Sequence, residues 1–182
     1  NILWSIAGVS AAFTIIGSHI GAELALLYSD KVLSTVLLIA LPVLTILVLI
    51  PRKERSSLIL PRSAVFVLAS ILSFLTGLYD GFFGPGTGMF LTIGFSFMGI
   101  PLLKSAGITK VVNASSNISA LVTFILSGSV IYWIGIPCAL SSIAGNALGS
   151  RFAIRHGAKA IKPLLVVVII MLYIDIIVSR LA

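Results

Sequence analysis

Gly81-Phe82-Phe83-Gly84-Pro85-Gly86-Thr87-Gly88 interrupts a long apolar run with five glycines and prolines in eight residues. Proline removes a backbone donor and glycine has no preference for helical dihedrals, so this stretch does not continue a helix. An unpaired peptide group in hydrocarbon costs several kcal/mol, and such a break persists only where protein or a water-filled cavity covers it. A polar stretch follows among apolar neighbours, Thr109-Lys110-Val111-Val112-Asn113-Ala114-Ser115-Ser116-Asn117. Two polar anomalies in one apolar chain point to a transport pathway.

The surroundings are those of an integral membrane protein. Of the 182 residues 59% are hydrophobic and 9% charged, against roughly 25% charged in soluble domains. Apolar runs of the length needed to cross ~30 Å of hydrocarbon recur, at about 2–24, 32–50, 63–83, 87–101, 108–127, 130–151 and 160–178. No period-two alternation of the kind a barrel needs is visible, so the expected fold is an all-α, polytopic helical bundle. The 87–101 member is short, and 63–83 with 87–101 forms a helix hairpin around the glycine break, with a re-entrant element open as its form.

The net charge of +7 is not a nucleic-acid signal, because the basic residues sit in short clusters between apolar runs. Arg52-Lys53-Glu54-Arg55 with Arg62, Lys104 with Lys110, and Arg151, Arg155, Lys159 and Lys162 are expected on the cytoplasmic side. The single Cys138 excludes an intrachain disulfide and a cysteine-based metal site, and neither metal nor cofactor is implied.

Gly17-Ser18-His19-Ile20-Gly21-Ala22 and Gly145-Asn146-Ala147-Leu148-Gly149-Ser150 share a GxxxG frame, and the alignment continues without gaps. Ala25 meets Ala153, Lys31 meets Lys159, and Arg52 meets Arg180. The expected organisation is a duplicated repeat: 1–52 as the second half of the first copy, 53–62 as a cytoplasmic basic linker, and 63–182 as a complete second copy. On that reading about 65 residues lie upstream of the chain, in a protein of about 250. The turn at Glu23 to Lys31 reads as external and its mate at Arg151 to Lys159 as internal, the signature of an inverted repeat built for alternating access.

Candidate site residues follow. Gly84, Pro85, Gly86, Thr87 and Gly88 open a helix whose first N–H groups suit an anion, with a tight turn as the plain alternative. Asn113 and Asn117 lie one turn apart with Lys110 on the same face; they face a cavity or bond to another helix. Ser116 extends this polarity. Lys110 attracts an anion or snorkels to the interface. Asp80 is a candidate carrier of a coupling proton, with a helix cap or an external acid as alternatives. His19 and Glu23 lie one turn apart, and the GxxxG frames let helices approach closely.

At these residues the chain resembles the TauE/SafE sulfite-exporter family. The resembling stretches are Gly77 through Gly88, Ala106 through Asn117, and Gly145 through Arg151. Similarity to the family's second repeat covers about 63–180, and 1–52 resemble the latter part of the first. The resemblance implies export or uptake of small sulfur-containing anions, sulfite or organosulfonates, across a bacterial or archaeal inner membrane. The partners expected are therefore a small anionic substrate and the lipid bilayer, with a homo-oligomer left open. A transporter of an unrelated small anion and a non-transporting membrane scaffold are the rival readings. No HExxH, GxSxG or GxxxxGK[ST] pattern occurs, which argues against an enzyme and against ATP hydrolysis by the chain itself.

Overall fold

The computed structural model describes residues 2–29, 31–36, 38, 60–156, 167, 171 and 174. Every regular element among them is a helix: α1 (Ile2–Leu27), α2 (Arg62–Phe82), α3 (Thr87–Phe97), α4 (Leu102–Leu126) and α5 (Tyr132–His156). The chain forms two compact units, Asn1–Leu33 with Arg52–Gly128, and Ser34–Pro51 with Ser129–Ala182. Most of the expected 32–50 and 160–178 segments, and of the 53–62 linker, lie outside the described residues.

Helices α1, α2 and α4 are long and apolar enough to cross a membrane. In the first unit they run parallel. Thr14 lies against Gly77 and Ser18 against Gly81, while Ile15 bonds to Ser119 and His19 to Thr123, so rising numbers meet rising numbers on all three. Arg62 and Lys104 therefore share one end of the unit, as the charge pattern leads one to expect. Helix α5 takes the place of the expected 130–151 segment, carries Pro137 inside it, and is diluted by Gly, Ser and Asn; it is not among the three apolar spans.

What the first unit buries is the reverse of a water-soluble core. Ser10, Thr14, Ser18, Ser73, Thr87, Ser105 and Ser116 are buried, while Val67, Ile71 and Leu75 of α2 and Ile118, Leu121, Val122 and Ile125 of α4 are exposed in stripes. In water those stripes would be driven inward. Lipid tails are as apolar as leucine, so small and hydroxyl side chains pack between helices and large aliphatic ones face outward. The chain is a multi-pass membrane protein. An apolar plug of Ile6, Ala7, Ala69, Leu91, Phe95, Ile100, Ile108 and Val112 fills the end of the unit where the three long helices begin.

The α1–α2 seam is built on glycine. A Cβ on Gly17 would collide with the Phe74 carbonyl, one on Gly21 with the Leu78 carbonyl, and one on Gly81 with the Ser18 carbonyl. The first GxxxG frame is thus a close-packing device, as expected. For the second, nothing described in its own unit lies within 4 Å of a Cβ placed on Gly145 or Gly149.

Two boundaries differ from the sequence reading. The helix expected from about 108 begins at Leu102 and takes in Lys104, because Pro101 stands at the N-cap and releases the helix from Leu102 onward. Helix α3 stops at Phe97, where Met98, Gly99 and Ile100 fold back onto the last turn, and Gly99 takes a positive φ of 87°. At 11 residues α3 is about 16 Å long, half the hydrocarbon thickness.

Candidate functional site

Helix α2 ends where its sequence runs out of helix-compatible residues. Phe83 N–H closes the last turn on the Tyr79 carbonyl at 2.8 Å, then Gly84 and Gly86 adopt φ of 84° and 86°. These are left-handed conformations that L side chains resist, so glycine is required at both. Thr87 Oγ1 donates to the Gly84 carbonyl at 2.9 Å and the Tyr79 hydroxyl donates to the Pro85 carbonyl at 2.8 Å, pinning the reversal from both sides. Tyr79, Phe83 and Phe90 stack around it, with Phe82 against Tyr28.

By the register of Ser18 against Gly81 and Ser116 against Asp80, α1 and α4 continue about 12 Å beyond the point where α2 stops. The reversal is therefore recessed below the ends of its neighbours. Helix α3 starts there and runs back towards the plug, with Thr92 Oγ1 donating to Thr109 Oγ1 of α4 at 3.1 Å.

The expectation of bare amides at the start of α3 holds in part. Met89 N–H and Phe90 N–H both turn back to the Gly86 carbonyl, at 2.9 and 3.2 Å, and Thr87 N–H reaches Gly84 at 3.4 Å. Gly86 N–H and Gly88 N–H have no acceptor among the described residues. Two donors, not four, are left for a guest.

The nearest anion is the protein's own. Asp80 lies in the last turn of α2, and its Oδ2 accepts from Ser116 Oγ of α4. Thr87 Oγ1, which donates to the Gly84 carbonyl, lies close to that carboxylate, and a Cβ on Gly84 would sit 3.8 Å from Asp80 Oδ1. Ser18 Oγ of α1 donates to the Ser116 carbonyl at 2.8 Å, tying the third helix to the same point. Asp80, Ser116, Thr87 and Gly84, all candidates in the sequence, converge here with Ser18, which sequence reasoning passed over as part of a packing frame.

The other candidates stand apart from this cluster. Lys110, Asn113 and Asn117 share one stripe of α4, set roughly a quarter turn from buried Ser116 by the 100° step of a helix. Lys110 and Asn117 are exposed and Asn113 is half-buried. Asn117 Nδ2 donates to the Asn113 carbonyl on its own helix at 2.8 Å, so one of its amide hydrogens is used locally. At the far ends of α1 and α4, His19 Nδ1 meets Thr123 Oγ1 at 2.8 Å and His19 Nε2 faces Glu23 at 3.3 Å, a contact the i, i+4 spacing anticipates for Glu23 but not for Thr123. No group of three or more His, Cys, Asp or Glu gathers as a metal site among the described residues.

Comparison with known proteins adds independent information. The family model described as sulfite exporter TauE/SafE matches residues 1–176. A probable membrane transporter protein, ORF9, of Sinorhizobium sp is 44% identical over 112 residues, covering 61% of this chain and 43% of its own. A probable membrane transporter protein of Escherichia coli K12, YfcA, is 34% identical over 171 residues, 88% of this chain and 60% of its own. One from Haemophilus influenzae is 33% identical over 122 residues, 66% of this chain and 45% of its own. The chain thus spans about half the length of the curated relatives it matches. No solved structure matches it.

Proposed function

The chain belongs to the sulfite exporter TauE/SafE family, and from that membership we propose that it is part of a secondary permease for a small oxyanion, sulfite or an organosulfonate. The observation that carries the reading is the recessed reversal between α2 and α3, which leaves the Gly86 and Gly88 N–H groups without an acceptor among the described residues at the positive end of a half-membrane helix. Half-helices that begin inside the membrane and point their N-termini at an anion recur in secondary transporters, commonly in pairs related by an inverted repeat. The inverted repeat read from the two GxxxG frames would supply the second half of such a site and the rocking unit of alternating access. Lys110, Asn113 and Asn117 form the polar stripe along which the anion approaches. No catalytic step is assigned to the chain.

Reconstitution into proteoliposomes tests this. Sulfite or sulfonate counterflow is expected, and it falls roughly tenfold in Asn113→Ala, about the 1.4 kcal/mol of one hydrogen bond to a charged guest. Elution of the variant as wild type on size exclusion separates a transport defect from misfolding. Flux unchanged in both Asn113→Ala and Asn117→Ala would remove the amide stripe from the mechanism. Absence of anion flux from the intact protein would overturn the reading altogether.

A further inference from the structure

The recessed reversal holds a contradiction if it serves an anion alone. Asp80 stands in it, in the last turn of α2 where the helix dipole is negative. Among the described residues no lysine, arginine or histidine pairs with it; its hydrogen-bond partner is the hydroxyl of Ser116, with Thr87 Oγ1 close by and its proton on the Gly84 carbonyl. A half-buried carboxylate without a countercharge, closed in by helices, is disfavoured as the anion, and a second anion brought beside it would be repelled.

The same residues read differently as a set of hard oxygen donors. Asp80 supplies a carboxylate, Ser116 and Thr87 supply hydroxyl oxygens that retain lone pairs while donating, and Gly84 supplies a carbonyl at the unwound segment. They come from α2, the reversal, α3 and α4, and Ser18 of α1 holds the Ser116 backbone in place. A proton needs one acceptor; several converging oxygens at a helix break are what a small alkali ion takes, since unwound carbonyls and helix C-termini coordinate Na⁺ in broken-helix carriers. We propose that Asp80, Ser116, Thr87 and the Gly84 carbonyl form a binding site for one sodium ion. The ion neutralises Asp80 and lets a negative guest occupy the adjoining Gly86 and Gly88 donors, so guest and ion bind together. This rests on reading the reversal as a transport site.

Sodium binding is measurable without any anion. Purified protein is titrated with ²²Na⁺, and its thermal unfolding is compared in NaCl and KCl at equal ionic strength, because a ligand that binds only the folded state raises the midpoint with its concentration. Saturable binding and a sodium-specific rise are expected, both lost in Asp80→Asn. Should Asp80→Asn not fold, Ser116→Ala and Thr87→Val keep the carboxylate and are expected to weaken sodium binding roughly tenfold each. Binding that is absent from the wild type, equal for potassium, or unaltered by Ser116→Ala and Thr87→Val would overturn the site. Anion flux indifferent to sodium would sink this inference and spare the permease reading; sodium binding without anion flux would do the opposite.

Discussion

Glycine performs two unrelated jobs a few residues apart in this protein. Along the α1–α2 seam, Gly17, Gly21, Gly77 and Gly81 are helical and are needed for what they lack, since a Cβ at each would strike a backbone atom or Thr14 of the facing helix. Across the reversal, Gly84 and Gly86 hold positive φ, Gly84 with only ordinary contacts around it, and are needed for what they permit. Small size fixes the distance between two helices; conformational freedom ends one helix and begins another. The first is a requirement of packing and the second of chain path, so they should fail differently when substituted.

The largest effect is expected at the seam. Gly81→Val places a Cβ where the Ser18 carbonyl already stands and adds two methyl groups beyond it, and backbone on both sides leaves nothing that can move aside. Helix separation is the only relief, and it forfeits the packing that holds α1 to α2 in lipid, a loss of at least about 3 kcal/mol. Thermal unfolding in detergent is expected to show little folded protein. At the reversal, Gly84→Ala meets strain without collision. Holding φ of 84° with an L side chain costs about 1–2 kcal/mol, so this variant folds with a lowered midpoint. Equal losses at the two positions would erase the distinction.

A third substitution runs the other way. Ser10, Thr14 and Ser73 are wholly buried, and their hydroxyls find no hydrogen-bond partner among the described residues. Thr14 lies against Gly77, and Ser10 and Ser73 each sit one turn earlier on the same faces. The seam chose these residues for size. Thr14→Val keeps the shape and removes an unsatisfied group, and is expected to leave stability unchanged or raise it by about 1 kcal/mol. A loss beyond that would show that the hydroxyl has a partner, water or ion, and that the seam is more than packing.

The helical membrane class and the broken helix were legible because they rest on local quantities: apolar run length, and glycine and proline crowded into one short stretch. The half-length of α3 was legible for the same reason. Its end was not, because Gly99 terminates the helix only through the fold-back onto Phe95. Asp80 and Ser116 could each be singled out as polar in an apolar context, but their meeting could not. It depends on α2 and α4 running parallel in one register, which no local pattern encodes. Asn113 and Asn117 gave the opposite lesson. Their i, i+4 spacing was read correctly as a shared face, yet it is a face that flanks the buried one, and Asn117 bonds to its own helix.

Gly88 is the position where the two roles of glycine can be told from a third. Its φ is not positive, and a Cβ there would meet only the Thr109 methyl at 3.7 Å, an ordinary contact. Neither packing nor chain path asks for glycine at the second residue of α3, where alanine is the better helix former by up to about 1 kcal/mol. Gly88→Ala is therefore expected to fold as well as the wild type or slightly better, with a midpoint shift of no more than a few degrees. What the substitution changes is access to the Gly88 N–H, one of the two donors at the reversal without an acceptor among the described residues. If anion flux collapses while the thermal midpoint holds, the glycine is there so that a guest can approach the backbone closely. Unchanged flux would return Gly88 to the turn, and leave Gly86 N–H as the one donor free among the described residues for an anion site at this reversal.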